Sequence, residues 1–127
     1  MTGPAGQLVI TLQGSVWTTS VVTPSVKLNG VLINAQYGDN VYTVPAGQHR
    51  IEIHQQWIRQ YGQADIVATV PENGSAQVFY ATPWHQFTTG SIGYERQSKK
   101  GVGFLIGLIA FLVLVVLSPV LIAIALL

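Results

Sequence analysis

The chain has 127 residues, 49% of them hydrophobic and 9% charged, with a formal net charge of +1 and no cysteine. The absence of cysteine excludes disulfides, zinc-thiolate sites and thiol nucleophiles. About ninety residues precede a basic segment, which is enough for one small domain. Its basic residues, Lys27, Arg50 and Arg59, are scattered, which excludes the basic face typical of nucleic-acid-binding proteins.

The first part of the chain has the pattern of short β-strands. Leu8, Ile10 and Leu12 alternate with neighbours of the other face, which is the period of a half-buried strand. Residues 26–28 and 31–33 flank Asn29-Gly30, a pair that favours a tight hairpin turn because both residues tolerate positive φ.

Further strands are predicted at residues 41–44, 48–57, 64–70 and 76–82, and turns rich in Pro, Gly and Asn separate them. In the longest of them, Ile51, Ile53 and Trp57 are expected on one face. Short strands at regular intervals predict an all-β fold, a small antiparallel β-sandwich over residues 1–83.

Residues 84–100 are predicted to form a juxtamembrane linker. Its aromatic residues have amphipathic rings that favour the lipid headgroup region, and basic residues follow them. We therefore expect the linker to lie along the membrane surface or along a partner. The predicted membrane-interface residues are Trp84, Phe87, Tyr94, Arg96, Lys99 and Lys100.

Residues 101–127 are predicted to form a transmembrane helix that acts as a tail anchor, because the run contains no charged residue and ends the sequence. Gly103 and Gly107 form a Gly-x-x-x-Gly pattern that favours close helix packing, although glycine is also common in transmembrane helices generally. Ser118-Pro119 is expected to bend the last third of the helix.

The distribution of charge around the apolar run predicts the topology. Arg96, Lys99 and Lys100 precede the run and nothing charged follows it, so the positive-inside rule favours a cytoplasmic N-terminal domain and an extracytoplasmic C-terminus. Residues 1–13 lack the basic and apolar regions of a signal peptide. The expected localisation is the plasma membrane, with a single span.

Candidate chemical groups are few. His49 and His54 lie five residues apart in one predicted strand, so we expect them on opposite faces and not in one metal site, with His49 bonding backbone groups at a corner. The acidic residues of the domain have no nucleophile or partner at an indicative spacing. The sequence therefore predicts no enzyme, and no catalytic, cofactor-binding or metal-binding residues.

The segment between two predicted strands carries Trp57, Arg59 and Tyr61, a combination that favours a partner contact. The alternative is that Trp57 caps the domain core.

The run Val26-Lys27-Leu28-Asn29-Gly30-Val31, the corner Pro45-Ala46-Gly47-Gln48-His49 and the Asn73-Gly74 turn together resemble the PEGA-type β-sandwich module over roughly residues 25–83. The whole layout, with a basic cluster before a C-terminal span, is also similar to uncharacterised actinobacterial membrane proteins. This resemblance implies a binding or accessory module without catalytic residues.

Two functions are compatible with these features. The first is a non-catalytic accessory or scaffolding subunit of a larger integral membrane complex, anchored in the lipid bilayer by its helix. The alternative is a free-standing membrane-tethered module that recruits a soluble protein, peptide or carbohydrate. Neither requires nucleic acid or a small-molecule ligand.

Overall fold

The computed structural model describes residues 4–15, 17, 22–56, 59–85 and 87–127. Within these ranges the chain forms eight β-strands followed by one α-helix. The strands are β1 (Ala5–Leu12), β2 (Ser25–Leu28), β3 (Val31–Ile33), β4 (Gly38–Pro45), β5 (Gly47–Gln56), β6 (Gln60–Val70), β7 (Ser75–Ala81) and β8 (Ser91–Gly93), and the helix is α1 (Val102–Ala125).

The described strands form two four-stranded sheets, with the orders β4-β1-β7-β8 and β3-β2-β5-β6. The prediction of a mostly β domain with a C-terminal apolar helix is confirmed. The purely antiparallel arrangement is wrong, because β1 and β7 pair in parallel from Gln7 with Ser75 to Leu12 with Tyr80. Strands β2 to β6 lie between β1 and β7 in the chain. The turn after β6 starts β7 at the same end of the sheet as β1.

The hairpin predicted around Asn29-Gly30 is present. β2 and β3 pair from Val26 with Ile33 to Leu28 with Val31. Asn29 has φ 51° and Gly30 has φ 84°, the left-handed values that a two-residue hairpin turn requires.

One cluster of buried side chains draws on both sheets. Leu8, Ile10 and Leu12 of β1 are fully buried with Ile51 of β5 and Tyr80 of β7. Burying each aliphatic side chain of this size contributes about 1.5–3 kcal/mol to folding. The alternation predicted for β1 and β5 therefore identifies the core face of each sheet.

The two ends of the β domain differ in what they carry. The turn end holds the Asn29-Gly30 turn, Ala46, and the Pro71 to Gly74 turn. The helix end is the end at which β1, β5 and β7 finish, and the described residues of its connections are 13–15, 17, 22–24, 34–37, 59, 82–85 and 87–90.

The segment predicted as a linker contributes to the first sheet. β8 pairs with β7 from Phe79 with Gly93 to Ala81 with Ser91. Three residues are too few for a recognisable strand period, and Gly90 and Gly93 favour a loop prediction. The fold therefore continues past residue 83.

The helix α1 has 24 residues and reaches about 36 Å at about 1.5 Å per residue. Its length, and a mean hydropathy of 3.1 over a stretch of 18 residues, suffice to cross a membrane. None of the residues of Val102–Ala125, all of which the structure describes, is buried. Pro119 lies inside the helix, and the Ser118 hydroxyl donates to Leu114 O at 2.6 Å.

Candidate functional site

The start of the helix is bound to the β domain by the loop between β7 and β8. The Trp84 backbone N–H donates to Lys100 O at 2.9 Å. Lys99 Nζ lies 4.2 Å from the centroid of the Trp84 ring, a cation–π contact. Lys100 Nζ donates to Thr89 Oγ1 at 3.1 Å. Two of the predicted membrane-interface lysines are thus held by the loop that carries Trp84.

His85 packs against the first turn of the helix. Its ring centroid lies 4.5 Å from that of Phe104 and 5.9 Å from that of Phe87. The Phe87 backbone N–H donates to His85 Nδ1 at 3.1 Å, so the neutral ring carries its proton on Nε2. Gly101 has φ 92°, and a Cβ there would lie 2.5 Å from His85 Nε2. Glycine therefore permits the close approach of helix and ring.

A second contact joins the junction to the end of β1. Gln13 Nε2 donates to Gln97 O at 3.0 Å, and the Gln97 N–H donates to Gln13 Oε1 at 2.7 Å. The side-chain amide thus pairs with the backbone as a neighbouring strand would. This pair fixes the segment before the helix against the domain.

The loop that carries Trp84 and His85 is itself held by a buried tyrosine. The Tyr80 hydroxyl donates to Gly62 O at 2.6 Å, and the Gly62 N–H donates to Thr88 O at 3.1 Å. The Gly90 N–H donates to Gln63 O at 3.2 Å. Burial raises the pKa of Tyr80 well above its usual range, so the hydroxyl stays protonated as a donor.

The structure places the predicted membrane-interface residues in two groups. Trp84 is 47% exposed and Phe87 is 66% exposed, and both lie at the junction with Lys99 and Lys100. Burial lowers the pKa of Lys99. The remaining two, Tyr94 and Arg96, lie along the β domain: the Tyr94 hydroxyl donates to Val67 O of β6, and Arg96 borders the outer face of the first sheet.

The other predicted residues are not brought together by contacts in the described part of the chain. Trp57 lies outside the described residues. Arg59 is exposed, and Tyr61 is half-buried in β6 opposite Gln55. Gly103 and Gly107 lie on α1, where an added Cβ would meet nothing within 4 Å.

His49 occupies the corner that the sequence predicted for it. One ring nitrogen, Nε2, lies 2.6 Å from Pro45 O, and Nδ1 lies 2.9 Å from Asn29 Nδ2. Asn29 Oδ1 accepts from the Arg50 N–H at 2.8 Å. The imidazole therefore joins the corner after β4 to the β2–β3 turn.

A shallow polar groove of about 330 Å³ lies on the outer face of the second sheet. His54 lines it with the charged residues Lys27, Glu52 and Asp65. Arg50 Nη2 donates to Asp65 Oδ2 at 2.8 Å and lies 3.9 Å from Glu52 Oε2. Among the described residues no group of His, Asp or Glu is arranged to hold a metal ion.

The environment of His54 predicts a pH dependence of stability. Partial burial and then the charge of Lys27 lower the pKa of His54 in the folded protein. Below about pH 6.5 the unfolded chain takes up a proton that the folded chain binds less well. The free energy of unfolding should therefore fall as the pH drops below that value. Urea unfolding followed by circular dichroism across this range checks it.

His54→Gln is the matched variant for this measurement, because glutamine keeps a polar side chain without titrating. We expect a shallower pH dependence between about pH 7.5 and 5.5 in the variant. Equal slopes in the two proteins would assign the dependence to other groups.

The contacts that hold the junction could not be predicted from the sequence, because no local pattern marks the residues that make them. Gln13 and Gln97 are separated by 84 positions, and nothing in either neighbourhood marks a pair. His85 lies within the predicted linker, where nothing in the neighbouring residues marks a packing contact. Its contact with Phe104 depends on how the helix starts.

No protein-family model and no curated protein matches the chain.

Proposed function

We propose that this protein is a non-catalytic accessory or scaffolding subunit of a larger membrane protein complex, anchored by its apolar helix. In this proposal the two sheets form a small β-sandwich of the PEGA-like kind, and Val102–Ala125 crosses the plasma membrane once. The basic residues before the helix favour a cytoplasmic β domain. No bound cofactor is required.

The observation that carries the proposal is the bound junction between the β domain and the helix. Three sets of contacts hold it: the Trp84 to Lys100 hydrogen bond, the His85 and Phe104 rings, and the Gln13 and Gln97 pair. A module that recruits soluble partners gains reach from a flexible linker. A subunit that contacts a neighbouring membrane protein gains from a fixed orientation, because less freedom is lost on binding.

The exposed helix supports the same proposal. Gly103 and Gly107 lie on one face because they are four residues apart, and both are open to a neighbour. A second helix can approach the backbone closely along such a face. Pro119 leaves a backbone carbonyl without its usual donor one turn earlier, which a neighbouring helix can satisfy.

The test is affinity purification of the full-length protein from native membranes in mild detergent, followed by mass spectrometry. We expect integral membrane proteins in near-stoichiometric amounts. Gly103→Leu combined with Gly107→Leu should remove most of them, because the added side chains keep a partner helix at a distance. The β domain should keep its near-ultraviolet circular dichroism.

Ala123→Leu is the control, because at about 3.6 residues per turn position 123 faces away from Gly103. This variant should retain the partners. Recovery of the bare protein, or of soluble companions alone, would contradict the accessory-subunit proposal and favour the tethered recruitment module. Retention of the partners in the double glycine variant would show that this helix face is not the contact.

A further inference from the structure

Exposed aromatic side chains lie on the loops at the helix end of the β domain. Trp17, in the connection between β1 and β2, is 92% exposed. Trp84 and Phe87, between β7 and β8, are 47% and 66% exposed. A soluble monomer has no reason to present large rings at its loop tips, where polar residues are usual.

One described residue of each connection contacts the segment at the start of the helix. Gln13, four residues before Trp17, is paired with Gln97, four residues before Gly101. Trp84 bonds the backbone of Lys100 directly. Trp84 therefore lies where the apolar helix begins, and Trp17 is only four residues of chain away from Gln13, which is bound to the segment before the helix.

The charged residues differ between the helix end and the outer face of the second sheet. Arg59, Arg96, Lys99 and Lys100 lie in the segments at or near the helix end, against two acidic residues there, Asp39 and Glu95. The other two basic residues, Lys27 and Arg50, lie on the outer face with Glu52 and Asp65. The helix end therefore combines exposed rings with a basic excess, the combination that favours an anionic membrane surface.

We propose that the helix end of the β domain is itself a lipid-binding surface, with Trp17, Trp84 and Phe87 in the headgroup region of an anionic bilayer. This inference rests on the proposed membrane anchoring and adds to it, because an anchor helix alone requires only the junction at the membrane. Trp17 belongs to a different connection, 67 residues before Trp84 in the chain. The headgroup region is about 5–7 Å deep on each side, enough to accept an indole ring.

The experiment uses the full-length protein in phosphatidylcholine vesicles that contain phosphatidylserine, with and without lipid bromine atoms, which quench nearby tryptophan. In Trp57→Phe/Trp84→Phe, Trp17 is the remaining tryptophan, and we expect it to lose most of its emission in the brominated vesicles. In Trp17→Phe/Trp57→Phe, Trp84 should behave in the same way. Omitting phosphatidylserine should reduce the quenching of Trp17 more than that of Trp84, because Trp84 is tied to the helix.

The negative control places a tryptophan at the turn end. Glu72→Trp, combined with phenylalanine at all three native tryptophan positions, should show no quenching because the exposed Pro71 to Gly74 turn points away from the helix end. Circular dichroism verifies that each variant is folded. The chain has no cysteine, so Trp17→Cys carrying a nitroxide gives a second reading of depth in an otherwise native protein.

The outcomes separate this inference from the proposed anchoring. Quenched Trp84 with unquenched Trp17, and a water-exposed nitroxide at position 17, would overturn the lipid-binding surface and leave the anchor intact. If the protein fails to float with the vesicles and Trp84 is not quenched, the anchoring fails and the surface with it. Quenching of Trp17 at the level of Trp84, with none at position 72, supports the inference.

Discussion

Gly62→Ala is expected to lower the free energy of unfolding by about 3 kcal/mol. Gly62 has φ 65°, which costs a residue with a Cβ about 1 kcal/mol. The added Cβ would also lie 2.8 Å from the Tyr80 hydroxyl and 2.9 Å from Pro83 Cδ. Overpacking of this kind costs about 2 kcal/mol. Urea unfolding of the full-length protein in mild detergent, followed by near-ultraviolet circular dichroism, measures the change.

Gly30→Ala separates the two causes. Gly30 also has positive φ, at 84°, yet a Cβ there would meet nothing within 4 Å. The free energy of unfolding of this variant should fall only by the cost of the backbone strain, about 1 kcal/mol. Equal losses at the two positions would contradict the packing argument. Tyr80→Phe should relieve part of the overlap in the Gly62→Ala background, which a double-mutant cycle detects.

Gln13→Ala is expected to loosen the helix from the β domain. It removes both hydrogen bonds to Gln97, at 2.7 Å and 3.0 Å, and costs about 2 kcal/mol at about 1 kcal/mol for each bond. Spin labels at Glu72→Cys and Val116→Cys report the distance from the turn end to the helix in vesicles. We expect the distance distribution to broaden.

The matched control for this change is Gln77→Ala. Gln77 Nε2 donates to Thr11 Oγ1 at 3.0 Å, a bond within the same sheet that does not involve the segment before the helix. Its loss should cost about 1 kcal/mol and leave the distance distribution unchanged. A narrow distribution in Gln13→Ala would show that the Trp84 and His85 contacts are sufficient to hold the helix.

Local features of the fold could be predicted from the sequence. The Asn29-Gly30 turn, the alternation of Leu8, Ile10 and Leu12, and the apolar run of the helix each depend on neighbouring residues. Pairing of β1 with β7 depends on residues 68 positions apart, such as Gln7 and Ser75. No local pattern distinguishes a parallel partner from an antiparallel one at that separation.

In the candidate site, too, some residues could be predicted from the local sequence and their contacts could not. Trp84, Lys99 and Lys100 were predicted because aromatic and basic residues beside an apolar span have a direct physical meaning. The contacts that hold these residues were not predicted, because they depend on hydrogen bonds that join the loop to Gly62 of β6 and Gly62 to Tyr80 of β7. Glycine in a strand signals close approach, but its neighbour is known only when the sheets are assembled.

In the proposed anchoring, the bound junction transmits a change in helix tilt to the far end of the β domain. Eight residues of β1 span about 26 Å between the helix end and the turn end. A change in helix tilt of about 20°, within the range that bilayer thickness imposes, would move the Asn29-Gly30 turn and its neighbours sideways by about 9 Å. If the helix spans a bilayer as proposed, a group at the turn end would therefore be displaced when the thickness of the bilayer changes.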